Sequence, residues 1–335
     1  MEDSVSIAAV STPTCLLCGS AGASLYKGLR DRLFGAPGSW DLSRCTDPAC
    51  GLVWLDPMPA EEEIGKAYRV YYTHRGDPVR NSPAGLPALA LAKLHKPFLK
   101  IFTHSTGLRR REREYQKEAA RMFLGDPVPR GTLLDVGCGN GDALARMCSS
   151  GWSGTGVDTD PEAVENARTR HGLTVYLGRL EDLRFPGESF DAVTMKHVIE
   201  HVHEPVALVR ESLRILKPGG RLVLVTPNVN GIGHRWFGEN WRGLEPPRHL
   251  HLFSPGALKR CAVQAGFPHP EVWCTPGDAD GMIRESLKLR DSVPGRRPRF
   301  LDPLVHSILT YYEVYRSRTD EEAGEEVVLV GRKAD

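Results

Sequence analysis

Three groups of residues in this chain have types and spacings suited to chemistry. Gly137, Gly139 and Gly141 alternate with Cys138 and Asn140, directly after the apolar run from Thr132 to Val136. A strand ending in such a run predicts a turn whose backbone a ligand can approach closely, with a helix after it. The dinucleotide fingerprint needs its third glycine three residues after the second. Asp142 holds that place, so NAD is disfavoured, and no Lys-Ser/Thr ending follows that would hold a triphosphate. Asp135, at the end of the strand, offers a carboxylate to a cationic amine. The second group is Cys15 and Cys18 and then, after 26 residues, Cys45 and Cys50. Two cysteine pairs on two chain turns supply the four thiolates of a tetrahedral zinc site. The second pair is wider than a two-residue gap, with Pro48 in its turn. Third come two histidine clusters, His197, His201 and His203 around Glu200, and His249 with His251. Imidazole exchanges a proton near neutral pH, which makes both clusters candidates for general base work.

The run LLDVGCGNGD resembles motif I of class I S-adenosylmethionine (SAM)-dependent methyltransferases. The next strand ends at Asp158, where that family holds the ribose hydroxyls, and a carboxylate suits a vicinal diol. FDAVTMKHVIEHVHEP, RILKPGGRLVLVTPN and WRGLEPPRHLHLFS are similar to later segments of one subgroup, which also carries an N-terminal cysteine module. The resemblance runs from about residue 131 to 267. It implies SAM as cofactor, with its methionine part against the backbone of Gly137, Cys138, Gly139, Asn140 and Gly141 and its ribose on Asp158. Adenine is expected against the backbone at Leu180. Because Arg179 stands where relatives often have an acid, Glu181 or Asp182 is expected to read the adenine amine. Asp135, Thr159 and Lys196 complete the expected cofactor contacts. Methyl transfer is an in-line displacement that needs proximity and, for a weakly acidic nucleophile, proton removal. His249 is the expected base, His201 a structural or substrate-orienting residue, and the loop 236–251, with Trp236 and Trp241, one wall of the acceptor site.

The elements that must position these residues alternate strand and helix, which calls for a parallel sheet. Strands are expected at 132–136, 154–158, 174–178, 190–196, 221–226, 271–275 and 326–331. A helix starts at the Asp160, Pro161, Glu162 cap, another at Glu204-Pro205 running to Pro218-Gly219-Gly220, and another at Ser254-Pro255 ending at Gly266. The fold class is therefore α/β, with a seven-stranded, mostly parallel, Rossmann-like sheet whose final strand is antiparallel in the family. Residues 1–56 form a small zinc-ribbon-like module, 57–130 a linker and helical lid segment, and 131–335 the methyltransferase domain, in which 276–325 is an insertion and candidate lid.

A chain of 335 residues, 41% hydrophobic, is long enough for a large domain plus a module, and its net charge of +1 implies no global pull toward nucleic acid. The Arg-rich helix from 108 to 124, with Leu108, Tyr115, Ala119 and Met122 on one face, lacks the aromatic platforms of an RNA binder. Residues 86–104 are apolar but carry three lysines and Pro97, too interrupted to span a bilayer. They read as a packed lid or as an amphipathic helix against lipid or a membrane surface. The first residues do not read as a secretory signal, so a cytoplasmic location is expected. The reading that unites these features is methyl transfer from SAM to a small-molecule acceptor, sugar, polyketide-like or lipid-linked, with a structural zinc and no nucleic acid partner. The alternatives are an RNA or protein acceptor, or a SAM-binding or zinc-ribbon interaction protein without turnover. The sequence leaves the oligomeric state open.

Overall fold

The structure, a computed structural model, describes residues 6–68, 108–125, 131–293, 301–317, 320 and 322–335. The linker 75–85, the segment 86–104, Tyr71, Tyr72, and the insertion's Arg296, Arg297 and Arg299 lie outside the described residues. The chain opens with β1 (Ala9–Val10), β2 (Gly22–Leu29), β3 (Trp40–Cys45), β4 (Val53–Leu55) and β5 (Met58–Pro59). Helix α1 (Leu108–Ala120) leads into the alternation β6 (Thr132–Val136), α2 (Asp142–Ser149), β7 (Ser153–Asp158), α3 (Pro161–His171), β8 (Thr174–Leu177), α4 (Leu180–Leu183), β9 (Phe190–Lys196), α5 (Pro205–Ile215) and β10 (Leu216–Pro227). After these come α6 (Ile232–Phe237), β11 (His251–Leu252), α7 (Pro255–Ala265), β12 (Glu271–Thr275), α8 (Ala279–Asp291), α9 (Asp302–Arg316) and β13 (Glu326–Arg332).

Seven strands form the central sheet in the order β12-β13-β10-β9-β6-β7-β8. Strand β13 runs antiparallel to both neighbours, and the pairs from β10 through β8 are parallel. Leu133, Leu134, Val193, Leu222, Leu224 and Leu329 are fully buried, as strands covered on both faces require. The helix starts follow their sequence signals: Asp160 accepts the N–H groups of Glu162 and Ala163 ahead of α3, and Ser254 accepts that of Ala257 ahead of α7. One boundary differs. Helix α5 stops at Ile215, and Lys217 to Gly220 form an irregularity inside a longer β10 rather than a break before it. The Pro-Gly-Gly step interrupts a helix but is absorbed in a strand as a bulge.

Strands β2, β3 and β4 form a second sheet whose fourth member is β11, with His251 paired to Trp54 and Leu252 to Val53. The cysteine-bearing part of the chain therefore shares a sheet with a segment nearly 200 residues later. A buried ion network reinforces the join. Arg248, with no exposed surface, donates from Nη1 to Asp31 Oδ2 (2.8 Å) and from Nε to Glu245 Oε1 (2.9 Å). Among the described residues, no helix is long and apolar enough to cross a membrane.

Candidate functional site

A cleft of about 690 Å³ opens at the carboxyl ends of β6 and β9. Asp135, Gly137 and Cys138 form its floor beside Thr194, Met195, Lys196 and His197. Tyr115, Ala119, Met122 and Phe123 wall it on the side of α1, while residues 276–280 and Thr310 and Val314 of α9 close it opposite. The insertion between the last two strands thus contributes directly to the cavity. Ligands in open parallel sheets sit at this end of the strands because the connecting loops splay apart there.

Each predicted cofactor residue has a definite place. Gly137 adopts φ +71°, and a Cβ there would fall 2.3 Å from Val198 Cγ2, so only glycine fits the turn. Asp158 Oδ2 accepts the Gly139 N–H (2.8 Å) and Oδ1 accepts the Asp160 N–H (2.9 Å), which fixes the carboxylate at the end of β7. Burial pushes its pKa above the usual range. Asp135 is almost fully buried and accepts the Thr194 hydroxyl at 2.8 Å. Burial outweighs that bond and raises its carboxyl to about 7. Cys138 is buried and Asn140 exposed, with the Asn140 amide donating to Asp142. Leu180 is buried at the start of α4, Glu181 follows it, and Thr159 is exposed next to Asp158. Arg179 pairs with Glu61. Lys196 reaches the cleft with Nζ 3.5 Å from Glu326 Oε1.

The cleft also contains His197, one of the candidate bases, bonded to Glu326, which the sequence analysis did not single out as functional. His197, at φ +56°, directs Nδ1 to Glu200 Oε1 (3.3 Å) and Nε2 to Glu326 Oε1 (3.1 Å). Carboxylates only accept, so both ring nitrogens must donate and the ring is an imidazolium. Desolvation by the surrounding cleft disfavours that charge although the ring is partly exposed, and the bonds to Glu200 and Glu326 outweigh it and lift the ring to about 9. Glu326 is in turn held down at about 2 against its burial, first by His197, and its Oε2 accepts the Tyr115 hydroxyl at 2.8 Å. Only the Glu325-Glu326 pair ahead of an apolar strand hints at this in sequence. Arg146 lines the cleft from α2 and has no ion pair among the described residues.

His201 and His249 stand outside the cleft, as do Trp236 and Trp241. His249 is buried, its Nδ1 is 2.7 Å from the Gly243 carbonyl, and burial followed by His201 draws its pKa down to about 4. The two rings meet edge to face with centroids 4.7 Å apart. Trp236 is largely exposed, whereas Trp241 is buried and donates its indole N–H to Glu325 Oε2 at 3.0 Å. His251 is buried in β11, and His203 contacts the Pro59 carbonyl.

The four N-terminal cysteines converge. Cys15 and Cys50 have their sulfurs 3.7 Å apart, Cys18 and Cys45 3.3 Å, and all four sulfurs lie within 4.8 Å of one another. A tetrahedron with metal–sulfur bonds of about 2.3 Å has edges of about 3.8 Å, so the donor set fits a zinc ion. The wider gap between Cys45 and Cys50 is taken up by a turn in which Asp47 accepts the Ala49 N–H.

Residues 108–269 match the family model described as a methyltransferase domain. Over 103 residues the chain is 43% identical to a ubiquinone biosynthesis O-methyltransferase of Xanthomonas oryzae pv. oryzae, a stretch covering 29% of this chain and 43% of that protein. Over 114 residues it is 36% identical to an uncharacterized 37.1 kDa protein in transposon TN4556 of Streptomyces fradiae, covering 32% and 33%. The chain spans less than half the length of these relatives. Among solved structures, phosphoethanolamine N-methyltransferase 2 of Haemonchus contortus, in complex with S-adenosyl-L-methionine, is similar with a TM-score of 0.46 and 19% identity, over 66% of this chain and 53% of that one.

Proposed function

We propose that the chain, whose residues 108–269 match a methyltransferase domain, is a class I SAM-dependent methyltransferase that transfers a methyl group from SAM to a small-molecule acceptor bound in the cleft. The observation that carries this reading is the continuity of the cavity. Its lining runs from Asp135, Gly137 and Cys138 to Lys196 and His197 and on to α1 and the insertion, so a space for an acceptor lies directly beside the glycine turn, while Asp158, Thr159, Leu180 and Glu181 lie outside that lining. A volume of about 690 Å³ falls within the usual range of about 300–1,000 Å³ for small-molecule sites.

SAM supplies an electrophilic methyl on a sulfonium; attack on that carbon breaks its bond to sulfur and leaves the electron pair there. The chain's own residues bind and align. The backbone of residues 137–141 holds the methionine part, with Asp135 receiving its ammonium group. Asp158 takes the ribose hydroxyls, while Leu180 and Glu181 hold adenine, with Thr159 and Lys196 at the two ends of the cofactor. Residues of α1 and α9 exclude water, which keeps the nucleophile and methyl in line. We assign His201 and His249 a positioning role behind Glu200 rather than proton transfer, because neither reaches the cleft. Cys15, Cys18, Cys45 and Cys50 hold a structural zinc ion.

The test is calorimetric SAM titration followed by a screen for S-adenosylhomocysteine release over fractionated metabolite pools. Micromolar SAM binding and turnover on a small-molecule fraction are expected. Absence of SAM binding would overturn the activity; turnover on RNA or protein fractions alone would overturn the acceptor class.

A further inference from the structure

A second buried cluster lies next to the cleft and does not belong to it. Glu200, with no exposed surface, accepts the Thr226 hydroxyl through Oε2 at 3.0 Å and meets His197 through Oε1. His201 and His249 bring their rings to the same place, and ligand-capable atoms of these three residues all lie within 4.8 Å of one another. The tautomers follow from the neighbours. His249 Nδ1 is 2.7 Å from the Gly243 carbonyl oxygen and His201 Nδ1 is 3.0 Å from that of Arg248. A carbonyl can only accept, so Nδ1 of His249 carries hydrogen, and Nδ1 of His201, which lies 3.0 Å from both the Arg248 carbonyl and the Tyr68 hydroxyl, does so where that hydroxyl accepts; in a neutral imidazole the lone pair is then on Nε2. The second nitrogen of His249 faces Glu245 Oε2 at 3.8 Å, another acceptor. The carboxylates already have cationic neighbours, His197 on Glu200 and Arg242 and Arg248 on Glu245, so it is the His249 Nε2 lone pair, aimed at a second acceptor in a buried space, that a metal cation would satisfy.

We infer that Glu200, His201 and His249, with Glu245 beside His249, form a site for a divalent first-row transition metal ion, separate from the cysteine cluster. Two imidazoles and a carboxylate favour zinc, iron or manganese over magnesium or calcium, which take oxygen donors. Metal-binding histidines commonly donate their other N–H to a carbonyl, which fixes ring orientation, and His249 does so here. Glu200 and His201 belong to the turn after β9 and His249 to the loop between β10 and β11. The ion would therefore clip that loop to the carboxyl end of β9, the central strand, behind His197 of the cleft. This inference concerns metal binding and stands whether or not the cleft transfers methyl groups.

The experiment uses the full chain, stripped of metal and dialysed against Zn²⁺, Mn²⁺ or Co²⁺, with metal content measured by mass spectrometry. One equivalent beyond the cysteine site is expected. Cobalt loading should show a thiolate charge-transfer band together with visible bands from nitrogen and oxygen ligation. Cys18→Ser should remove the first and keep the second, and His249→Gln the reverse. Wild-type protein that holds no metal beyond the cysteine site, or a folded His249→Gln variant that keeps the nitrogen-ligated cobalt signal, would overturn the proposal. If His249→Gln does not fold, the cobalt spectrum of wild-type protein decides alone: thiolate bands without a second component overturn it. Nitrogen NMR showing both nitrogens of His201 or His249 protonated at neutral pH would also overturn it, since a proton would then close the cluster.

Discussion

Asp158 and Asp135 sit one strand apart, on β7 and β6, and burial acts on both. Each Asp158 oxygen is already held by one backbone N–H, which leaves a second lone-pair direction on each for a ribose hydroxyl. A hydrogen bond to a charged group contributes about 1.5–3 kcal/mol, so Asp158→Ala should weaken SAM binding at least about tenfold. Calorimetry on the folded variant checks this, and unchanged affinity would remove Asp158 from the site. Asp135 gives a pH dependence. Its carboxyl is raised to about 7 in the free protein, so near neutrality much of it is protonated and cannot pair with an ammonium group. SAM affinity should therefore be highest above pH 7 and fall as the pH drops through about 7. The same binding should take up less heat of buffer protonation as the pH rises. Asp135→Asn should flatten the dependence, and a wild-type affinity that stays constant from pH 6 to 8 would place the ammonium elsewhere.

Helix α1 and the loop before β11 are the two elements whose docking shapes the site. The Tyr115 hydroxyl on α1 donates to the buried carboxylate of Glu326, which also holds His197. Tyr115→Phe removes this donor at a cost of about 1.5–3 kcal/mol. Amide exchange in α1 should accelerate correspondingly in the variant; unaltered exchange would show that the apolar face with Met122 and Phe123 anchors the helix alone. In the loop before β11, Arg248 joins Glu245 to Asp31 of the N-terminal part. Removing one member of a buried charge network costs about 3–5 kcal/mol because the partners remain buried. Arg248→Met should lower the free energy of chemical unfolding by that amount, and a loss below about 1 kcal/mol would mean that water replaces the guanidinium.

Across the whole molecule, the cysteine cluster and the seven-stranded sheet are connected through β11. Its pairing with β4 places the loop that carries His249 on the edge of the cysteine-bearing sheet. Ser254 donates to the Cys50 carbonyl and Arg260 pairs with Asp47, so the connection continues into α7. Structural zinc binding is coupled to folding. Cys18→Ser, or chelation, should therefore lower the melting temperature and slow transfer to the acceptor, while SAM affinity stays within about threefold because residues 137–141 and Asp158 lie on the far strands. Loss of SAM binding together with the metal would show that the two parts fold as one cooperative unit.

What the sequence determined alone is local in the chain. Strand ends and the glycine turn after Val136 were legible because spacing and periodicity act over a few residues, and the Cys15, Cys18 pair for the same reason. The alternation of strand and helix carried the sheet, down to β9 at residues 190–196 and β12 at 271–275. Tertiary structure decided what depends on contacts between distant residues. His197 and Glu326 are 129 positions apart, and nothing in either neighbourhood marks them as partners. Strand β11 has two residues, too few for any period to register, yet it joins the two sheets' territories. The residue type of His249 suggested a base, since imidazole chemistry is visible in sequence; its burial against the Gly243 carbonyl is not, because accessibility is set by what packs around a side chain. Only folding brought His197, rather than His249, to the cleft.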